Sequence, residues 1–315
     1  MLVSDPAPIA LFAYRRADHL SKTLDALEAC PEFERSPVFV FSDGPKDDAS
    51  AEVIAEIASV RSMLNMRLRS NMSVVEAATN RGLAASVIAG VTQLCAEYGR
   101  VIVIEDDLIV SPVTLTWLNA ALDRFEANAK VFQISAYQWW NPLLRRRRDG
   151  LFGRMAVSWG WATWKRAWDA FDPDATGWEA LESDKTLRRA FDMDGSYPLS
   201  EMLRLQIDGR IDSWAIRWAW SVFRRDGLVL YPPRSLVRNI GFDETGTHNS
   251  IGKLKNLISP PPMLWAEAVM PDLPATTDGV VTDEKIVQRG LRHSGAMRNR
   301  RIVAVLRALG VWRKN

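Results

Sequence analysis

Short apolar runs alternate with amphipathic segments through the first 125 residues of the chain. Residues 8–14, 37–42 and 101–104 are almost entirely apolar, as strands buried on both faces are, and residues 66–68 form a weaker strand candidate. Helical spacing of apolar residues predicts helices over residues 18–30, 51–60 and 82–98, and a further helix that ends at Leu122, with Asp18 as the cap of the first. Alternating strands and helices indicate an α/β fold with a mainly parallel sheet and helices on both faces.

The pattern becomes less regular beyond about residue 130. Residues 131–136 predict another strand, and residues 139–153 predict a loop that contains four consecutive arginines, 145–148. A Trp-rich stretch follows, in which Trp164 and Trp168 are predicted to share one helix face because they are four residues apart. We therefore divide the chain into a regular half at residues 1–125, a loop-rich half at residues 126–258 and a tail at residues 259–315.

Composition and charge narrow the class of protein. The chain has 315 residues, of which 47% are hydrophobic and 25% charged, so it is neither disordered nor fibrous. Its 40 basic and 38 acidic residues give a net charge of +2, which offers no reason to expect nucleic acid as a partner. Two isolated cysteines fit a reducing compartment, and we find neither a signal-peptide pattern nor an apolar run of the roughly 18 residues that span a bilayer. We expect a cytoplasmic protein.

Three adjacent carboxylates, Glu105, Asp106 and Asp107, directly follow the apolar run at residues 101–104. Neighbouring carboxylates repel one another unless a cation or hydrogen-bond donors meet them. Such a group commonly binds a divalent cation, which one or two carboxylates hold together with phosphate oxygens. The alternative interpretation is that the three carboxylates lie in a solvated turn. Ligands of open α/β sheets bind at the carboxyl ends of the strands, and Arg16 and Asp43 come just after two other predicted strands.

Residues 103–112, Val-Ile-Glu-Asp-Asp-Leu-Ile-Val-Ser-Pro, resemble the DXD region of GT-A glycosyltransferases. The pattern is similar in particular to the N-acetylglucosaminyltransferase I type and to bacterial glycosyltransferases related to family 2. Further stretches resemble segments of the family in the same order. Residues 13–20 resemble its first-strand NRPxHL segment, and residues 42–44 resemble the segment that holds the nucleoside. Residues 80–83 resemble the start of the helix before the DXD strand, and residues 241–249 resemble a late loop with a histidine.

The resemblance implies a GT-A fold and a metal-dependent glycosyltransferase that uses a UDP- or GDP-sugar, in polysaccharide biosynthesis. Residues 1–125 would then bind the nucleotide-sugar donor and residues 126–258 the acceptor. The implied roles are Mn²⁺ or Mg²⁺ ligand for Asp107 and His248, ribose or donor-sugar contact for Glu105 and Asp106, hydrogen bonding to the base for Asp43, and a place near base or phosphate for Arg16.

An inverting sugar transfer also needs a carboxylate that takes the proton of the acceptor hydroxyl. Residues 209–214 resemble the family's acidic residue followed by a tryptophan at the start of a helix. Asp212 is therefore the predicted base and also the predicted cap of that helix, with Asp208 as the second choice for the base. Capping alone is the alternative role of Asp212.

The chain contains 13 tryptophans, and ten of them lie between Trp139 and Trp220. We expect most of these rings to fill the core between the two halves. Trp161 is the predicted exception, because Gly160 permits close approach of a ligand and the pair resembles the family's Gly-Trp segment near the donor sugar. Trp214, beside Asp212, is a weaker candidate for a substrate contact.

The acceptor is expected to be a saccharide or a lipid-linked saccharide. The four arginines at residues 145–148 predict either a solvated loop, a loop that closes over the donor diphosphate, or a contact with an anionic acceptor. The basic, apolar segment at residues 298–314 has the composition of an amphipathic helix that contacts the inner face of the cytoplasmic membrane, or that packs on the catalytic domain.

Two other functions remain open at this point. A nucleotidyltransferase that makes nucleotide-sugars also uses a Rossmann-like sheet and a metal, but it normally has a Gly-rich loop where this chain has Tyr14 to Ala17. A non-catalytic carbohydrate-binding protein would use the tryptophans and would not need the three carboxylates.

Overall fold

The computed structural model describes residues 5–139, 141–241, 269–277 and 280–293. The strands in these ranges are β1 (Ile9–Ala13), β2 (Val38–Ser42), β3 (Met72–Glu76), β4 (Arg100–Glu105), β5 (Leu108–Val110), β6 (Val131–Ser135), β7 (Leu151–Gly153), β8 (Trp161–Trp164), β9 (Leu228–Tyr231) and β10 (Val237–Asn239). The α-helices are α1 (Ala17–Glu28), α2 (Ala51–Met66), α3 (Leu83–Tyr98), α4 (Thr114–Phe125), α5 (Lys165–Trp168), α6 (Ala180–Ser183), α7 (Lys185–Phe191), α8 (Leu199–Ile207), α9 (Trp214–Arg224) and α10 (Val280–His293). No helix within the described ranges is long and apolar enough to cross a bilayer.

Eight strands form one central sheet in the order β3-β2-β1-β4-β8-β6-β9-β7. The pairs β3-β2, β2-β1, β1-β4 and β6-β9 are parallel, whereas β8 is antiparallel to both of its neighbours and β7 is antiparallel to β9. Six of the eight strands therefore run in one direction. Helices flank the sheet, with α3 against β1 and β4, and α4 against β6 and β8. The predicted α/β class with a mainly parallel sheet is confirmed.

Two predictions for the first half are wrong in detail. Residues 66–68 are not a strand, because the buried stripe of Ile57, Val60 and Leu64 continues α2 as far as Met66. The third strand is β3, an edge strand whose side chains are mostly exposed after Met72, so the apolar pattern that marks a buried strand is missing there. Asp18 lies in the first turn of α1, where Arg16 is the N-cap residue and no side chain caps the helix.

The Trp-rich stretch begins as a strand and not as a helix. Trp161 pairs with Val103 on one side and with Ser135 on the other, so β8 lies in the middle of the sheet. All four of its residues are buried, and aromatic and β-branched side chains suit such a position. Trp164 ends this strand and Trp168 ends the short helix α5, so the two rings do not share a helix face.

The central sheet crosses the boundary that we placed at residue 125, because β8, β6, β9 and β7 extend the sheet begun by the first half. Part of the predicted tail also belongs to this body. Helix α10 packs on β7, and Asp283 at its start accepts hydrogen bonds from Arg147 at 2.6 Å and from the backbone NH of Phe152 at 3.1 Å. Arg147 is thus held within the protein, although its three arginine neighbours are exposed.

Candidate active site

The three carboxylates lie at the carboxyl end of β4, where Arg16 meets two of them. The Nη2 atom of Arg16 lies 3.0 Å from Asp106 Oδ1 and 2.8 Å from Asp107 Oδ2. All three side chains are largely buried, with 15%, 10% and 12% of their surfaces exposed. The parallel register of β1 and β4 explains the contact, because it brings the carboxyl ends of the two strands to the same edge of the sheet.

Two further hydrogen bonds hold Asp106 in place. The NH of Tyr14 donates to Asp106 Oδ2 at 3.3 Å, and the Thr23 hydroxyl on α1 donates to the backbone carbonyl of Asp106 at 2.8 Å. These bonds orient Asp106 from two elements at once. Its position does not depend on Arg16 alone.

The small antiparallel pair β5-β10 brings a distant segment over Asp107. Asn239 Nδ2 donates to Asp107 Oδ1 at 3.3 Å, and the NH of Ile240 donates to the Asp107 carbonyl at 2.8 Å. Gly241 follows directly, and a Cβ atom there would overlap the Asp107 carboxylate. A side chain at this position would therefore displace Asp107. Sequence reasoning did not identify Asn239, and no local signal marks it, because its role arises from long-range pairing.

The carboxylates are crowded as well as buried. Burial, together with the charges of Asp107 and Asp106, raises the pKa of Glu105 to about 8. Burial also raises the pKa of Asp106 to about 6, although Arg16 acts in the opposite direction. Three carboxylates face one guanidinium, so the fully ionised cluster carries two excess negative charges. A divalent cation would balance that excess.

The donor chemistry fits a hard divalent ion whose coordination a ligand completes. Within the described part of the chain, no three His, Cys, Asp or Glu side chains form a preformed metal cage. Mg²⁺ is nevertheless commonly bound through one or two carboxylates together with substrate phosphates, and Asp106 and Asp107 offer such oxygens. His248, the other predicted ligand, lies outside the described residues.

Asp43, at the end of β2, shapes a loop. Its Oδ1 accepts from the NH groups of Gly44 and Arg81 at 2.9 and 2.8 Å, and its Oδ2 accepts from Asn80 Nδ2 and the NH of Gly82 at 3.0 and 2.9 Å. Four donors fill the usual capacity of a carboxylate. The predicted bond to a nucleoside base would have to displace one of them, so this geometry assigns Asp43 to holding the turn that starts α3.

We expect Asp43→Ala to lower the free energy of unfolding by about 2–3 kcal/mol, because four donors lose their acceptor in a largely buried turn. Urea denaturation followed by circular dichroism would measure the loss. Asp47→Ala is the matched control: this side chain lies exposed in the loop between β2 and α2 and should change the stability by less than about 0.5 kcal/mol. Equal stabilities of the two variants would contradict the structural role of Asp43.

Trp161 lies inside a cluster of rings and presents no face to a ligand. Its exposure is 0%, and its ring stacks on Trp214 with a centroid distance of 5.1 Å and an interplanar angle of 21°. Trp168 and Trp218 lie 6.0 and 6.3 Å away. The expectation that Trp161 and Trp214 offer ring surfaces to substrate is therefore corrected: both are core residues, and they join β8 to α9.

The indole NH of Trp161 is buried without a hydrogen-bond partner among the described residues, whereas that of Trp218 donates to Gln133 Oε1 at 3.0 Å. Both rings are fully buried in the same cluster. We expect Trp161→Phe to lower the free energy of unfolding by about 1 kcal/mol, because removal of an unsatisfied NH offsets part of the lost packing. Trp218→Phe should lower it by about 2 kcal/mol, because it leaves Gln133 Oε1 without a donor. Urea denaturation of the pair tests this ordering, and a larger cost for Trp161→Phe would contradict it.

A second group of rings, missed by sequence reasoning, surrounds a cavity of about 210 Å³. Tyr137 lies 5.4 Å from Trp139 and 4.7 Å from Trp159, both edge to face. The cavity is lined by Tyr137, Trp139, Met155, Ala156, Val157, Ser158, Trp159, Tyr197, Leu199, Met202, Ala215, Ile216 and Ala219. Because β6 runs in the direction of β4, Tyr137 and Trp139 follow its carboxyl end, at the edge that carries Glu105. The rule that located the carboxylates would also have located these rings.

Asp212 lies just before α9 and does not cap it. Ser213 is the cap residue, and its hydroxyl accepts from the NH of Ile216 at 3.4 Å. The Asp212 carboxylate is 66% exposed and pairs with Arg217 at 2.8 Å. Two residues later Trp214 stacks on Trp161, which is paired with Val103 of β4. The start of α9 therefore lies against β8, the strand beside β4, and the capping role predicted for Asp212 is wrong.

No protein-family model matches this sequence, and neither does any curated protein. Among solved structures, a galactosyltransferase LgtC in complex with donor and acceptor sugar analogs is 14% identical, with 56% of this chain and 65% of that chain covered and a TM-score of 0.31. This chain thus spans less than two thirds of that protein.

Two further solved structures are also similar to this chain. A 4-diphosphocytidyl-2C-methyl-D-erythritol synthase from Anaerococcus prevotii is 11% identical, with 74% and 90% of the two chains covered and a TM-score of 0.35. A UDP-glucose pyrophosphorylase complexed with UDP-glucose is 14% identical, with 47% and 62% covered and a TM-score of 0.24. Similarities this distant assign no activity to this chain.

Proposed function

We propose that this protein is a metal-dependent glycosyltransferase of the GT-A type. It would transfer a hexosyl or N-acetylhexosaminyl group from a UDP- or GDP-sugar to a saccharide or lipid-linked saccharide, with inversion at the anomeric carbon. The observation that carries the proposal is the buried group of Asp106, Asp107 and Arg16 at the carboxyl end of β4. Ligands of such sheets bind at this edge, and the group combines metal-binding oxygens with a phosphate-binding guanidinium.

Each residue has a separate task in this scheme. A divalent ion bound through Asp107 would supply positive charge to the departing diphosphate. Arg16 would pair with phosphate oxygens through its planar guanidinium. Asp106, fixed by the NH of Tyr14, and Glu105 would accept hydrogen bonds from ribose or donor-sugar hydroxyls. Asp212 would take the proton of the attacking acceptor hydroxyl.

The cavity beside Trp159 supports a place for the acceptor. Its aromatic walls suit the apolar face of a sugar ring, and the hydroxyls of Tyr137, Ser158 and Tyr197 offer hydrogen-bonding groups. Helix α9 contributes Ala215, Ile216 and Ala219 to the same cavity and begins two residues after Asp212. The proposed base therefore precedes a wall of the proposed acceptor site.

The test is an assay of the purified chain against a panel of nucleotide-sugars with Mn²⁺ or with EDTA. We expect release of a nucleoside diphosphate, without added acceptor, in the presence of Mn²⁺ only. A parallel assay offers nucleoside triphosphates and sugar 1-phosphates and measures pyrophosphate. Pyrophosphate release would instead establish nucleotidyl transfer, and metal-independent sugar binding without turnover would establish a carbohydrate-binding protein.

A lipid-linked acceptor would require the enzyme to work at a membrane surface. The basic and apolar residues at 298–314 lie outside the described part of the chain, and their composition suits contact with anionic lipid. We expect the full chain to float with vesicles that contain anionic phospholipid, and a chain that lacks residues 296–315 to remain at the bottom of the gradient. Flotation of both chains to the same extent would contradict a role for this segment.

A further inference from the structure

The guanidinium of Arg16 occupies the position in which a cation would contact Asp106 and Asp107. Its Nη2 atom lies 3.0 and 2.8 Å from one oxygen of each carboxylate, at distances typical of charge-assisted hydrogen bonds. Asp107 Oδ1 accepts from Asn239 at 3.3 Å, so both oxygens of Asp107 already have donors. A metal ion that binds these oxygens must compete with groups that the protein supplies.

We propose that Arg16 is an internal counter-ion that opposes metal binding until a diphosphate draws its guanidinium away from the carboxylates. The inference rests on the proposed function and adds an order to it: metal and nucleotide bind together, and neither binds well alone. Two cations at the same oxygens repel each other, which makes the metal affinity low while Arg16 remains there.

A diphosphate changes this balance because it offers oxygens to both cations. Guanidinium groups match phosphate oxygens in a two-pronged arrangement, so Arg16 can exchange its carboxylate partners for phosphate. The carboxylate oxygens that Arg16 leaves then become available to a divalent ion. Since coupling between two ligands is reciprocal, the metal must raise the affinity for the nucleotide by the factor by which the nucleotide raises the affinity for the metal.

The chain offers a matched control beside Arg16. Arg15 carries the same charge one residue earlier, but its Nη1 atom pairs with Glu56 on α2 at 3.3 Å. Replacing Arg15 changes the net charge as much as replacing Arg16 does, without removing the counter-ion from Asp106 and Asp107. The difference between the two variants isolates the position of the charge.

The experiment measures Mn²⁺ binding to the full chain by calorimetry, without nucleotide and with saturating UDP, GDP, CDP or dTDP. For the wild type we expect one of the nucleotides to raise the Mn²⁺ affinity by about tenfold or more. Arg16→Gln should bind Mn²⁺ alone about tenfold more tightly than the wild type, bind nucleotide more weakly, and lose most of the coupling. Arg15→Gln should behave like the wild type.

Equal Mn²⁺ affinity of the wild type with and without a bound nucleotide would overturn the inference, and so would an unchanged nucleotide-free affinity in folded Arg16→Gln. The absence of coupling in the wild type would overturn the inference even if that variant does not fold. Metal-dependent nucleotide binding that persists unchanged in Arg16→Gln would also overturn the inference, and it would leave the proposed function standing. If the wild type binds neither Mn²⁺ nor any of the nucleotides, both the inference and the proposed function are wrong.

Discussion

Asp107→Asn is expected to reduce turnover of the nucleotide-sugar by about a thousandfold or more, which corresponds to about 4 kcal/mol of lost transition-state stabilisation. The substitution keeps the shape of the side chain and removes the charge of the proposed metal ligand. Release of nucleoside diphosphate in the presence of Mn²⁺ measures the effect, and calorimetry should show that Mn²⁺ no longer strengthens nucleotide binding.

Stability distinguishes a lost ligand from a damaged fold. Asp107 is one of three crowded carboxylates, and Arg16 keeps its contact with Asp106 when Asp107 loses its charge. We therefore expect the free energy of unfolding to fall by less than about 1 kcal/mol, because loss of this charge also relieves repulsion of Glu105 and Asp106. Asp123→Asn is the control for charge removal, because Asp123 pairs with Arg100 at the amino end of β4 and should leave turnover intact. Full turnover in Asp107→Asn would contradict its assignment.

Asp212→Asn is expected to reduce transfer to an acceptor by about a thousandfold, within the usual range for loss of a general base, while the donor still binds with nearly unchanged affinity. The amide cannot accept the acceptor proton as a carboxylate does. Comparing kcat for transfer with the affinity for the nucleotide separates the two effects. Because Asp212 is exposed and does not cap a helix, the substitution should leave the free energy of unfolding nearly unchanged.

Asp208→Asn is the matched control. Asp208 follows α8 as its C-terminal cap residue, four positions before Asp212, and was the second choice for the base. Its loss should leave transfer within about twofold of the wild type. If Asp208→Asn loses activity and Asp212→Asn keeps it, the base is Asp208 and the role assigned to Asp212 is wrong.

The sequence predicted those parts of the fold whose burial leaves a local trace. β1, β2 and β4 are buried strands and appeared as apolar runs, and β6 was predicted although Gln133 and Ser135 interrupt its apolar pattern. The predicted bounds of α3 agree with the structure to within one residue, and Gly99, in a left-handed conformation, ends this helix. β3 is an edge strand with few buried side chains, so its pattern was too weak. β8 was predicted as part of a helix. Its tryptophans are buried because β4 and β6 lie on either side of it, and only the folded sheet brings these strands together.

The residues of the site were likewise predictable only where the local sequence marks them. Glu105, Asp106, Asp107 and Arg16 follow strands at one edge of the sheet, so a local rule was enough to place them together. Trp161 was misassigned because a tryptophan beside a glycine looks the same in a core and in a sugar site. Gly160 serves the fold: a Cβ there would lie 2.9 Å from Val237 Cγ1. The contact between Asn239 and Asp107 could not be predicted, since it depends on the register of β10 with β5.

That register has a consequence for how the protein folds. Asn239 and Asp107 are 132 positions apart in the chain, so the pairing of β5 with β10 closes a long loop. Contacts this distant cost loop-closure entropy and form slowly compared with neighbouring strands and helices. We therefore expect the sheet that carries the carboxylates to assemble before the segment that covers Asp107, so that the site is completed late in folding.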